Sequence, residues 1–135
     1  MKLASGLVRL YAALLLLVGA VLLFAPGLAF GSAEDPGPRP LLLAQLLAAA
    51  LLGFAAANWT ARGAFLGGIY GRALVVGNQA FAFIGALVLL KNAPTERGPG
   101  FWSLLLVLAF GAVLYSVLLY HPPRPAGGPP ASPAG

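Results

Sequence analysis

Four long stretches of this 135-residue chain carry no charged side chain: residues 10–33, 40–61, 73–90 and 101–120. They run to 24, 22, 18 and 20 residues. A helix that crosses about 30 Å of hydrocarbon needs roughly 20 residues, within a range near 17–25, so each stretch qualifies. Lipid offers no partner to a backbone N–H or C=O, which leaves only helices and closed barrels as spanning structures. A barrel strand alternates polar and apolar residues. The segment LLLAQLLAAALLGFAAANW (41–59) shows no such alternation, and its Leu and Ala favour helix. The reading is an all-α membrane protein with four transmembrane helices, spans about 10–30, 41–60, 70–90 and 101–120, in an antiparallel up-down bundle. Residues 1–120 form this one transmembrane domain.

Composition narrows the function classes. Charged residues make up 8% of the chain and hydrophobic ones 60%, against about 25% charged in an ordinary soluble domain. Eleven charges cannot cover the surface of a soluble enzyme of this size. The formal net charge of +5 invites a nucleic-acid reading, but that requires Lys and Arg clustered on one face. Here the eight basic residues (2, 9, 39, 62, 72, 91, 97 and 124) are scattered and most flank apolar runs. They read as anchors to lipid headgroups, with membrane lipid as partner and no nucleic acid.

The connections are punctuated by turn formers. GSAEDPGPRP (31–40) carries Glu34, Asp35 and three prolines, and KNAPTERGPG (91–100) carries two more prolines. Both read as tight turns outside the hydrocarbon. The stretch HPPRPAGGPPASPAG (121–135) has six prolines in 15 residues. It has too little apolar surface to fold and is expected to be a disordered Pro/Gly-rich tail. With the N-terminus inside, five basic residues (Lys2, Arg9, Arg62, Arg72, Arg124) are cytoplasmic and three (Arg39, Lys91, Arg97) are outside. This bias places both termini in the cytoplasm and the protein in the cytoplasmic (inner) membrane. Tyr11, Trp59, Tyr70, Trp102 and Tyr120 read as an interfacial aromatic belt. An alternative reading of the first span is a cleaved signal peptide ending at Gly31-Ser32-Ala33, which leaves three spans. Its uncharged run of 24 residues is long against the usual 7–15 or so.

Reactive groups are few. There is no Cys, so disulfides, thiolate catalysis and Cys-ligated metals are absent. Glu34, Asp35 and Glu96 fall in connections, and the single histidine, His121, has no metal-ligand companion at usable spacing. No serine has a buried base near it. No carboxylate or His lies within a span, which argues against proton-coupled pumping by an intramembrane acid. The expectation is a non-enzyme without catalytic residues, metal or cofactor. Phe81, Phe83 and Phe101 read as packing or lipid-facing residues.

The polar groups gather around the second hairpin: Asn58 and Trp59, then Arg62, Gly67, Gly68, Tyr70 and Arg72, then Asn78 and Gln79. At 1.5 Å per residue Asn78 and Gln79 lie about 9–10 Å deeper than Arg72. Small residues recur every fourth position at Ala49/Gly53/Ala57, Gly67/Gly71, Ala73/Gly77 and Ala82/Ala86, which predicts tight antiparallel packing of the second and third spans. Two readings follow. In the structural one, Arg72 snorkels to headgroups or caps the second span, and Asn58 and Asn78 bond across the hairpin. In the functional one, Arg72 and Arg62 attract an anion or anionic headgroup, Tyr70 and Trp59 wall the site, and the backbone at Gly67 and Gly68 faces the ligand.

Residues 42–78, through Asn58-Trp59, Arg62-Gly63, Gly67-Gly68-Ile69-Tyr70, Arg72 and Gly77-Asn78, resemble a family of small bacterial integral membrane proteins of about four helices. The family has no assigned activity, so the resemblance implies fold and location. Members often carry Pro after the arginine, where this chain has Ala73. A looser physical likeness is to small four-helix fluoride channels, which combine a Gly-Gly run, an Arg, a membrane Asn and Phe residues. In those proteins the Gly run lies near the N-terminus, whereas here it follows the second span. The resulting expectation is a non-enzymatic accessory, scaffold or lipid-interacting membrane protein, acting as a homo-oligomer or with a membrane-protein partner. The alternative is a passive channel or small-solute or anion carrier acting as an oligomer.

Overall fold

A computed structural model of the chain describes residues 2–27, 37–61, 69–94 and 98–121, with the backbone alone at 2, 69 and 70. They form four helices: α1 (Lys2–Phe24), α2 (Pro38–Thr60), α3 (Ile69–Lys91) and α4 (Pro99–Tyr120). Each has 22 or 23 residues, about 33–35 Å at 1.5 Å per residue. All four are long and apolar enough to cross a membrane.

The helix boundaries have local causes. α1 starts eight residues before the charge-free run because Arg9 sits at an exposed helical position, where its stem lies along the helix and its head reaches outward. It finishes early because Pro26 has no N–H to give and disfavours helix at Ala25. The last bond of that helix is Ala25 N–H to Val21 O at 2.8 Å. α2 and α4 both begin on a Gly-Pro step, Gly37-Pro38 and Gly98-Pro99, with the proline where a helix needs no N–H donor. Pro38, Pro40 and Pro99, expected in turns, therefore belong to first helical turns. Thr60 closes α2 by donating its hydroxyl to Ala56 O and Ala57 O at 2.9 and 3.1 Å.

Neighbouring helices run antiparallel. Gly19 of α1 lies against Leu51 and Leu52 of α2, and Gly85 of α3 against Leu108 of α4. Tyr11 of α1 meets Tyr115 of α4, while Leu22 approaches Leu104. The bundle is therefore up-down-up-down, with the starts of α1 and α3 and the ends of α2 and α4 at one end.

Polarity is arranged for lipid. Inward positions of α2 are Ala44, Ala48, Leu51, Ala55 and Asn58, while Leu42, Leu43 and Leu46 point out. Phe83, Ile84, Leu87 and Val88 of α3 and Leu106, Val113 and Val117 of α4 are likewise exposed. A surface this apolar on every helix is far beyond the patches a water-soluble monomer presents. The protein is thus a multi-pass membrane bundle whose outer surface is dominated by large apolar side chains, around a core of aliphatic, aromatic and small residues that also takes in Asn58 and Asn78.

Helix pairing corrects one expectation. The closest packing is α1 with α2 and α3 with α4, whereas α2 and α3 touch far less than either. The expected α2–α3 stripes are oriented elsewhere. Ala49 and Gly53 are exposed, and a Cβ at Gly53 or Gly77 would meet nothing within 4 Å. Ala86 packs with Leu105 and Leu108 of α4 instead. A stripe of small residues permits close approach but does not name the neighbour.

Candidate functional site

Near the end that holds the start of α1, polar side chains from all four helices meet in one layer. Asn58 sits in the last turn of α2, Asn78 in the third turn of α3, Tyr115 five residues before the end of α4 and Tyr11 on α1. Asn58, Asn78, Tyr11 and Tyr115 are all fully buried, at 0% exposure. The Tyr115 hydroxyl donates to Asn58 Oδ1 at 2.6 Å. Asn58 Nδ2 donates to Asn78 Oδ1 at 2.7 Å, and Asn78 Nδ2 donates to Leu74 O at 2.9 Å. The chain thus runs α4 to α2 to α3 and ends on a backbone carbonyl. Beside it, Gln79 Nε2 donates to Ser116 Oγ at 2.9 Å, tying α3 to α4 a second time.

Aromatic rings enclose the layer. Tyr11 lies edge-on to Tyr115 with centroids 5.5 Å apart, and edge-on to Phe110 at 6.1 Å. It is seated against Gly111, where a Cβ would overlap the phenol. About one turn toward the middle of the bundle, Phe54 and Phe81 stack at 4.3 Å. Both rings are partly buried and lie on the same two helices as the Asn pair. Two buried polar atoms have no partner among the described residues, the Tyr11 hydroxyl and Gln79 Oε1.

Of the residues singled out in the sequence, Asn58, Asn78 and Gln79 are brought together here. Trp59 and Arg72 are not: Trp59 is 52% exposed and Arg72 is exposed. The register explains Arg72. Gln79 is level with Ser116, and Asn78 with Asn58. Seven residues earlier, α3 has passed the ends of both α4 at Tyr120 and α2 at Thr60. Arg72 therefore stands about 10 Å from Gln79 along the axis, beyond its neighbours. Arg62, Gly67, Gly68 and the side chain of Tyr70 lie outside the described residues, as do Glu34, Asp35, Glu96 and residues 122–135.

Tyr11 corrects the aromatic-belt reading. Because α1 begins at Lys2 rather than near residue 10, Tyr11 falls in the third turn and is wholly buried. Tyr115 and Ser116 were absent from the sequence-based site. The signal for them was present: an adjacent polar pair inside an apolar span, as Asn78-Gln79 is in α3. Antiparallel helices can bring two such pairs level.

Amides, hydroxyls and phenols make up the layer, so it offers hydrogen bonds and no group that ionises near neutral pH. No group of three or more His, Cys, Asp or Glu side chains that could hold a metal occurs among the described residues. Interhelical hydrogen bonds in membranes average about 0.6 kcal/mol and reach about 1.7, so the layer fixes rotation and register more than it adds stability. No protein family, curated protein or solved structure matches the chain.

Proposed function

We propose that this chain is a non-enzymatic protein of the cytoplasmic membrane, both termini inside, that serves as an accessory or scaffold and engages lipid and membrane partners through its outer surface. The observation that carries this reading is the hydrogen-bonded chain Tyr115–Asn58–Asn78–Leu74. Tyr115, Asn58 and Asn78, which would line a conduction path, are bonded to one another and fully buried, with the Phe54–Phe81 stack beside them. Four helices alone leave little room for a pore. The five-to-three distribution of basic residues supports the orientation, and the family resemblance of residues 42–78 belongs to the same proposal.

The test is ion flux in liposomes reconstituted with the purified protein. Fluoride, chloride and small cations are expected to leak no faster than from protein-free vesicles. A saturable or selective flux that Asn78→Ala abolishes would replace this reading with that of a passive channel.

A further inference from the structure

The bundle is built of two halves. α1 packs tightly on α2, and α3 on α4, whereas α1 with α4 and α2 with α3 touch far less. Within each half a glycine lets the helices close up: Gly19 lies against Leu51 and Leu52, and Gly85 against Leu108. Close packing of this kind makes each half move as one body. The ties between the halves are different. The Tyr115 hydroxyl donates to Asn58, and Asn58 donates to Asn78. Tyr11 lies on Phe110, Tyr115 and Gly111, and Phe54 stacks on Phe81. Each of these ties takes one partner from α1 or α2 and the other from α3 or α4. They gather in or beside the polar layer. α2 ends and α3 begins at this same end, so the backbone joins the halves there as well.

Toward the other end the halves face each other across a cleft of about 480 Å³. Leu22 of α1 and Ala44 and Leu47 of α2 line one side, and Leu89 of α3 and Phe101 and Leu104 of α4 the other. In water the burial of such side chains would draw the halves together. Acyl chains are as apolar as leucine, so in a bilayer that pull is missing, and association rests on close packing and interhelical hydrogen bonds. The polar layer supplies both. The cleft walls stand too far apart for close packing. Of the two seams between the halves, α2–α3 is the looser, and across α1–α4 Leu22 still approaches Leu104.

We infer that the two halves pivot on the polar layer, so that α2 and α3 swing apart and together at the far end and open the cleft sideways to the bilayer. The layer is the hinge of a rigid-body motion. Its hydrogen bonds lie close to the axis and persist through the swing. The separation of α2 and α3 varies more the farther it is measured from Asn58–Asn78. This motion gives the scaffold reading a moving part, but it rests only on the membrane bundle itself.

The experiment measures distances between paired spin labels on the full-length protein in phosphatidylglycerol–phosphatidylcholine liposomes. The chain has no cysteine, so each introduced pair is the only one labelled. Ala56 and Ala80 are exposed, and each lies two residues from the Asn58–Asn78 bond. Leu46 and Leu90 are exposed and lie twelve residues from it, about 18 Å along the axis. A56C/A80C is expected to give a narrow distance distribution, and L46C/L90C a broad or two-peaked one that extends to longer separations. L90C/L106C, on two exposed positions of α3 and α4 within one half, should be narrow at that same far end. Asn58→Leu removes both hydrogen bonds of the hinge and should broaden A56C/A80C while L90C/L106C stays narrow. Tyr115→Phe, which keeps the ring, should broaden A56C/A80C less. An L46C/L90C distribution as narrow as that of L90C/L106C overturns the inference, and this comparison needs no hinge variant. Equal breadth at all three pairs also overturns it, because that is loosening throughout and not a pivot. So does an A56C/A80C distribution that Asn58→Leu leaves unchanged. Ion flux would defeat the non-conducting reading without touching these distances, and a rigid bundle would leave that reading in place.

Discussion

At one end of the bundle four helices converge on Tyr11, Asn58, Asn78 and Tyr115, all fully buried. At the other, Pro38 and Pro99 start two helices, and the four part around a cleft lined by Leu22, Leu47, Leu89 and Leu104. The greasier end is the looser one. In water the reverse would hold, because apolar contact is the main driving force there. In lipid a leucine gains little by exchanging an acyl chain for another leucine, so association rests on close packing and interhelical hydrogen bonds. The pinned end has both. Gly111 lets Tyr11 lie flush on α4, and the hydrogen bonds tie three helices together. The splayed end offers leucines to a solvent that is equally apolar.

The sharpest way to break this contrast is to disturb the pinned end by a single carbon. Gly111→Ala places a methyl group where the Tyr11 phenol sits. Neither partner has space to yield, since Tyr11 is also packed on Phe110 and Tyr115. Overpacking of this kind costs about 1–3 kcal/mol, and the upper part of that range is expected in an unfolding titration from detergent micelles. A stability equal to the native chain's would mean that Tyr11 does not hold α1 to α4. Next in size is a matched pair of truncations. Leu51 is fully buried against Gly19, and Leu51→Ala should cost about 2 kcal/mol, the low end for a core leucine because lipid recovers the transfer part. Leu47→Ala, on the cleft wall, should cost less than half as much, since an acyl chain refills the space. Equal losses at the two sites would erase the distinction between the ends.

The same contrast explains how far the sequence could be read. The four helices were legible because the absence of charge over about 20 residues is a solvent requirement, independent of which helix neighbours which. Asn58–Asn78 was legible because a short connection forces the end of α2 and the start of α3 to be near each other. Helix pairing was not. Ala49/Gly53/Ala57 and Ala82/Ala86 look alike as sequence, yet Ala49 and Gly53 are exposed and Ala57 half-buried, while Ala82 and Ala86 are buried. The rotation of a helix about its axis is set by partners that lie far away in the chain. Tyr115 is 57 residues from Asn58 and fixes the rotation of both helices through one bond. Arg9 misleads for a related reason: a charge bounds the apolar run at residue 10, whereas a long arginine stem lets the helix continue past it.

Smaller effects sharpen the account of the polar layer itself. A double-mutant cycle on Asn58→Leu and Asn78→Leu isolates their shared bond and is expected to give a coupling of about 0.6 kcal/mol, and no more than about 1.7. Coupling near zero would mean that each amide finds another partner when the first is removed, and the layer would not set register.

The smallest expected effect is the most discriminating. Tyr11 and Tyr115 have equal burial, at 0% exposure, and their rings touch. Their hydroxyls differ: that of Tyr115 donates to Asn58, and that of Tyr11 has no partner among the described residues. An unmade hydrogen bond leaves a buried polar group with an unrecovered desolvation penalty. Removing the Tyr11 oxygen therefore removes a burden, whereas removing the Tyr115 oxygen also strands Asn58 Oδ1. Tyr11→Phe is expected to be neutral or slightly stabilising, and Tyr115→Phe to lower stability, with the two shifts opposite in sign or at least clearly separated in the same unfolding titration. If Tyr11→Phe destabilises as much as Tyr115→Phe, then the Tyr11 hydroxyl is bonded in the membrane, and the pinned end holds α1 by a hydrogen bond rather than by shape alone.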